Sequence, residues 1–329
     1  MSTKDLHKAL GPIASLFEDP EVMSVMVDGP ERVTIEKNGK IESTDIRFKS
    51  NAEVKEIVVA ILSGADVKME YDKTIFEVRL TDNSRMTAVL TPTATDGHCL
   101  IFRKWMSSQL TWDKLFEYNV IAPAGRDLIQ GAINARVGIL IAGGTNSGKT
   151  TFANRVIELI PLDERIVTVE ATHQYQFTHP RAIFLEAQGT PNLTMNDLLT
   201  AASKMRPDWL VVGELEGPES MRVIQLFSTG YSGLTTIHAS HAENALTRLE
   251  TMCRIANPGL GLDDIRQIIV SGLRLIAYQE LMPDGQRKVV QLMELKGLED
   301  GRYILQPLMR YKAEQDSFEM IDVKPGWEK

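Results

Sequence analysis

The stretch that most constrains this 329-residue chain is "GGTNSGKTT", residues 143–151, which fits the pattern G-x-x-x-x-G-K-[ST]. Just before it runs "VGILIA", short, apolar and β-branched as a buried parallel strand should be. Just after it, Phe152, Val156, Leu159 and Ile160 share one helical face. A strand that turns through a glycine-rich loop into a helix aims backbone N–H groups and a positive helix end at one point, which makes an anion site. The pattern therefore predicts that Gly143, Gly144, Thr145, Asn146, Ser147, Gly148, Lys149, Thr150 and Thr151 cradle the phosphates of a nucleotide. Lys149 is expected on the β- and γ-phosphates, and the Thr150 hydroxyl on Mg²⁺.

Hydrolysis also needs a carboxylate to position the attacking water. "DWLVVGELEGPES" offers Glu214 at the C-terminal end of an apolar strand, where ligands of α/β sheets collect. An Asp commonly precedes such an acid; here the residue is Gly213. A second acid, Glu170, ends the strand-like "RIVTVE", so two carboxylates are expected to converge on the metal and the water. His238 ends another short apolar run in "TGYSGLTTIHASH" and is placed to donate to the γ-phosphate. His241 follows three residues later, but two histidines without a nearby Cys or acid make no zinc pattern. It is expected on the surface near the start of the next helix.

Around these motifs the chain changes character once. In the first hundred residues, "RVTIEKNGKIE" alternates about Asn38-Gly39, a dipeptide suited to a two-residue hairpin turn. "AEVKEIVVAILSG" has helical spacing and ends on Gly64, expected as a left-handed C′ residue. "TIFEVRLTDNSRMTAVLTP" reads strand, turn at Thr81 to Ser84, strand. These predict a smaller α+β N-terminal domain over residues 1–106 and a linker over 107–112. From 113 to 329 helices alternate with strands, which predicts crossover connections and an α/β domain on a mostly parallel sheet. Thr194 with Asp197, and Ser240 with Glu243, read as capping pairs at helix starts.

Bulk properties remove several alternatives. Acids outnumber Lys plus Arg by 44 to 36, a net −8, with no dense basic cluster, so nucleic acid is not the expected partner. Cys99 and Cys253 form no C-x-x-C pair, which suits a reducing cytosol. The first twenty residues lack the apolar core of a signal peptide, and runs such as "IVVAIL" fall far short of the ~20 residues that span a bilayer. A cytoplasmic protein that meets the membrane only through partners is expected.

Taken in order, "GGTNSGKTT", "RIVTVEATHQYQ", "MRPDWLVVGELEGPES" and "TGYSGLTTIHAS" resemble the four boxes of the secretion-superfamily ATPases of type II and type IV secretion and pilus assembly. The segments "LFEDPEVMSVMVDGPERVTIEKNGKIESTDIRF" and "LMELKGLEDGRYILQPLMRY" look like the Tad/Flp-pilus branch. The resemblance implies a RecA-like P-loop motor domain, a homo-hexameric ring, ATP hydrolysis with Mg²⁺, and docking on inner-membrane platform proteins of a pilus or secretion machine. Residue by residue, it gives Lys149 and Thr150 the phosphate-loop roles, Glu170 the first acid of the Asp box, Glu214 the catalytic glutamate, and His238 the His-box sensor. In "VRLTDNSRM" it implies that Arg79 and Arg85 reach the nucleotide, with Arg103 a further basic position. Three residues depart from the pattern: Ala171 replaces an Asp, Glu216 an Arg and Tyr231 a His.

Overall fold

The structure, a computed structural model, describes residues 3–37, 40–65, 67–70, 72–105, 110–188 and 192–328. It divides into two compact units, Met1–Ser107 and Ser108–Lys329, each built on its own sheet.

The first unit runs α1 (Thr3–Leu10), a short 3-10 turn, α2 (Ala14–Glu18), β1 (Val22–Asp28), β2 (Val33–Lys37), β3 (Lys40–Ser43), α3 (Asn51–Gly64), β4 (Ile75–Arg79), β5 (Arg85–Val89) and β6 (Cys99–Arg103). Its six strands lie in the order β3-β2-β1-β6-β5-β4, and every neighbouring pair is antiparallel. Period-2 alternation sends Phe76, Val78, Met86, Ala88, Leu100 and Phe102 to one face. There they pack in one core with Val54, Ile57, Val58 and Ile61 of α3. The Ser50 side chain caps α3 by accepting from Glu53 N. Gly64 is not the left-handed residue that was expected: α3 runs through it, and the C-cap is Ala65 at φ −101°. The Ala65 N–H already reaches the carbonyls of Ile61 and Leu62, so the helix closes without a left-handed residue. The Asn38-Gly39 turn lies outside the described residues; β2 and β3, which flank it, pair with Lys37 opposite Lys40.

The second unit runs α4 (Trp112–Glu117), α5 (Pro123–Asn134), β7 (Ile139–Gly143), α6 (Lys149–Ile157), β8 (Ile166–Glu170), β9 (Ala182–Glu186), α7 (Met195–Lys204), β10 (Trp209–Leu215), α8 (Glu219–Ser228) and β11 (Ser232–His238). It continues with α9 (Ala242–Ala256), α10 (Leu262–Gly272), β12 (Leu275–Leu281), β13 (Arg287–Glu299), β14 (Arg302–Lys312) and β15 (Ser317–Met320). Of the stretch 107–112, residues 107–109 lie outside the described set, and Thr111 already caps α4 by accepting from Lys114 N.

The nine strands are ordered β15-β14-β13-β12-β7-β11-β10-β8-β9. Pairings from β12 across to β9 are parallel, and those from β12 out to β15 are antiparallel. Both faces are covered. Leu140 and Ala142 of β7 belong to the core formed with α7, α8, α9 and α10, while Ile139 and Ile141 belong to the one formed with α4, α5 and α6. This is why the strands read as unbroken apolar runs.

The Thr194–Asp197 capping box is present at α7 with both of its bonds. Ser240 makes no such box. His241 is the N-cap of α9, exposed and without a side-chain cap bond, and the Ser240 hydroxyl turns instead to Asn244 Oδ1 and His241 Nδ1. Among the described residues no helix is long and apolar enough to cross a membrane.

Candidate active site

Parallel pairing brings the C-terminal ends of β7, β8, β10 and β11 to one edge of the sheet, and register fixes who meets whom. Gly143 pairs with His238 on one side and with Gln279 on the other. A Cβ at Gly143 would drive into Gln279 O and Ser147 Oγ, so only glycine lets the chain leave the strand here. The loop then coils through Asn146 at φ +59° and Gly148 at φ +90°, and Gly148 is the N-cap of α6. This αL-rich path turns successive N–H groups inward.

Lys149, only 7% exposed, lies over that concavity with Nζ 3.0 Å from Gly144 O. The same carbonyl accepts from Ser147 N at 3.4 Å. Ser147 Oγ is buried and has no partner among the described residues. Burial holds the Lys149 ammonium below the ordinary lysine range; Glu214 pulls it back upward and the positive charge of Arg248 adds to the depression. A buried cation and a backbone N–H that share one carbonyl, beside an unsatisfied hydroxyl, make a donor set suited to a polyanion. Thr150 and Thr151, half-buried, stand in the first turn of α6.

Glu214 reaches the same point by way of a β-bulge. Along β10, Val212 pairs with Thr235 and Glu214 with Thr236, so Gly213 is the extra residue, and its carbonyl accepts from Thr235 Oγ1 at 2.9 Å. A bulge re-aims the next side chain. Glu214 Oε1 ends 3.7 Å from Lys149 Nζ and 3.8 Å from His238 Nδ1, and His238 Nε2 is 3.4 Å from Thr145 Oγ1. The Glu214 side chain is 28% exposed and that of His238 39%, so both open toward solvent while touching the loop.

Glu170, expected with Glu214 on the metal and the water, lies buried at the end of β8. It is 2% exposed, and both oxygens are engaged. Oε1 accepts from Gln174 N at 2.7 Å and Tyr175 N at 3.0 Å, and Oε2 is 2.8 Å from His173 Nδ1. The carboxylate thus organises the turn that follows β8. Tyr175, fully buried, donates to Val212 O, and burial beside the two acids raises its phenol well above the ordinary range.

In the first unit, Arg79, Arg85 and Arg103 stand in one cross-strand row: Arg79 opposite Arg85, and Arg85 opposite Arg103. Arg79 is held in place, donating from Nε and a terminal nitrogen to Asn83 Oδ1 at 3.0 and 2.7 Å, with its guanidinium 6.0 Å from the Trp105 ring centre.

Four residues at the site escaped the sequence reading: His173, Arg248, Gln279 and Arg287. Gln279 arrives because β12 lies beside β7 in the sheet, and Arg287 because β13 pairs with β12, and no short motif announces the pairing of β12 with β7.

The family model described as "Type II/IV secretion system protein" matches residues 7–307, and the chain belongs to that family. It is 27% identical over 306 residues to the conjugal transfer protein TrbB of Rhizobium radiobacter, covering 91% of this chain and 92% of that protein. It is 25% identical over 324 residues to the type IV secretion system protein VirB11 of Bartonella quintana, covering 86% and 91%. The crystal structure of the pilus retraction motor PilT with bound ADP shares its fold, with a TM-score of 0.62 at 17% identity over 90% of this chain and 80% of that one.

Proposed function

We propose that this chain is a RecA-like ATP-driven motor that hydrolyses ATP and powers a pilus or secretion machine. The observation that carries the reading is the convergence of Lys149, Glu214 and His238 on a loop whose inward donors are suited to a polyphosphate. In this reading residues 143–151 hold the β- and γ-phosphates and Lys149 neutralises their charge. Glu214 orients the attacking water and accepts its proton. His238 stabilises charge at the γ-phosphate. Thr150, with Glu214 near, would hold Mg²⁺, which when bound supplies further neutralisation of the phosphates. Glu170 acts from behind, holding the turn after β8.

Arg79, Arg85 and Arg103 supply cationic contacts from the N-terminal unit, and the working form is a homo-hexamer on the cytoplasmic side of the membrane, docked on platform proteins. The names of the relatives favour a conjugative or effector type IV machine over the Tad/Flp branch. The test is phosphate release by wild type, Glu214→Gln and Lys149→Ala at concentrations that sustain assembly, followed by light scattering. Loss of ~10²–10⁴-fold in Glu214→Gln with nucleotide still bound supports the motor. Arg79→Ala and Arg85→Ala should slow turnover with melting temperature unchanged. Wild-type protein that binds nucleotide without turning it over would make the chain a nucleotide-dependent scaffold instead.

A further inference from the structure

The outer wall of the phosphate loop is built by β12 and β13. A Cβ at Gly148 would stand 3.0 Å from Arg287 Cδ and 3.2 Å from Gln279 Nε2, so both side chains pack directly on the loop backbone. Arg287 is brought there by a bulge: Tyr278 pairs with Gln291 but Gln279 with Val289, which leaves Val290 extra and sets Leu281 opposite Arg287. Arg287 Nε donates to Asn146 O at 3.0 Å.

That single bond has two consequences. A planar trans peptide carries its C=O and its N–H on opposite sides. Holding the Asn146 carbonyl outward therefore keeps the Ser147 N–H inward, where it points at Gly144 O. The guanidinium has five N–H donors, and only Nε has a partner among the described residues. An arginine anchored by one donor on the backbone of the phosphate loop, with a planar fork of donors unused, has the chemistry that suits phosphate oxygens.

We infer that Arg287 is a nucleotide-binding residue of this site, with Nε fixed on the phosphate loop and its terminal NH₂ groups donating to the phosphate chain of the bound nucleotide. It lies outside all four boxes that the sequence offers. The inference rests on the reading that residues 143–151 hold a nucleotide.

The test is titration calorimetry of full-length wild type, Arg287→Ala, Arg287→Lys and Lys149→Ala with ADP and with inorganic pyrophosphate, alongside thermal midpoints of the unliganded proteins. Hydrogen bonds to charged groups of this kind amount to about 10–100-fold in affinity. Arg287→Ala should weaken ADP and pyrophosphate by the same factor in that range with its midpoint unchanged, and Arg287→Lys should recover part of the loss by keeping the charge. If Arg287→Ala melts lower than wild type, Arg287→Lys carries the comparison. Unchanged ADP affinity in a folded Arg287 variant overturns the inference. A loss for ADP but not for pyrophosphate also overturns it, because the contact is then to base or ribose. If wild type binds ADP no more tightly than Lys149→Ala, the nucleotide reading itself fails, and Arg287 falls with it.

Discussion

The ends of β8 and β10 are adjacent in one parallel sheet, and each presents a glutamate, yet the two acids live in opposite conditions. Glu170 is 2% exposed, with a hydrogen-bond partner on each oxygen; Glu214 is 28% exposed and faces Lys149 and His238 at the longer range of 3.7 and 3.8 Å. A carboxylate saturated by backbone N–H groups and an imidazole holds structure. One left loosely paired beside a cation and a histidine is available to a ligand. Sequence position alone makes the two look alike; the bulge at Gly213 and the turn at residues 171–175 set them apart.

The contrast is broken most directly by removing Glu170. Glu170→Ala leaves the buried Tyr175 N–H, the Gln174 N–H and His173 Nδ1 without this acceptor, so unfolding free energy should fall by about 3 kcal/mol, read as a lower urea midpoint. Glu214→Ala should move the midpoint little by comparison. Equal shifts would mean that the two acids share one duty.

A smaller effect is expected from the partner. His173→Ala removes one of the three groups bound to Glu170 and spares both backbone bonds, so a loss of about 1 kcal/mol should appear in the same assay. A loss as large as that of Glu170→Ala would show that the imidazole, not the backbone, holds the turn.

The smallest effect is a fraction of a proton. Burial depresses the Lys149 ammonium, and a bound polyphosphate favours the charged form, so the group's pKa is higher in the complex than in the free protein. Between those two values binding must take up a proton; below both it takes up none. Calorimetry of ADP binding in two buffers of different ionisation enthalpy should show uptake that falls away as pH is lowered through the pKa of the free protein and is absent in Lys149→Ala. Identical uptake in that variant would move the titration to another group.

Much of this was legible in the chain because the decisive signals were local. The apolar runs of β7, β8, β10 and β11 announce a sheet buried on both faces, and the phosphate loop announces its own backbone path. What was hidden is non-local. The strands β13 and β14 are bulged between Leu292 and Met293 and again between Leu295 and Gly297, which breaks the period-2 alternation that would have revealed them. Ser240 resembles a cap by spacing, yet the chain stays extended for one residue more and His241 takes the position. The burial of Glu170 depends on a turn whose N–H groups come from Gln174 and Tyr175, and main-chain donors leave no trace in a residue pattern.

The claim that Glu214 reacts while Glu170 builds is tested by measuring phosphate release and urea midpoint side by side for wild type, Glu214→Gln and Glu170→Ala. The account predicts that Glu214→Gln loses ~10²–10⁴-fold in rate at an unchanged midpoint, and that Glu170→Ala shows the large fall in midpoint. Wild type releasing phosphate no faster than Glu214→Gln, with nucleotide bound to both, would contradict it.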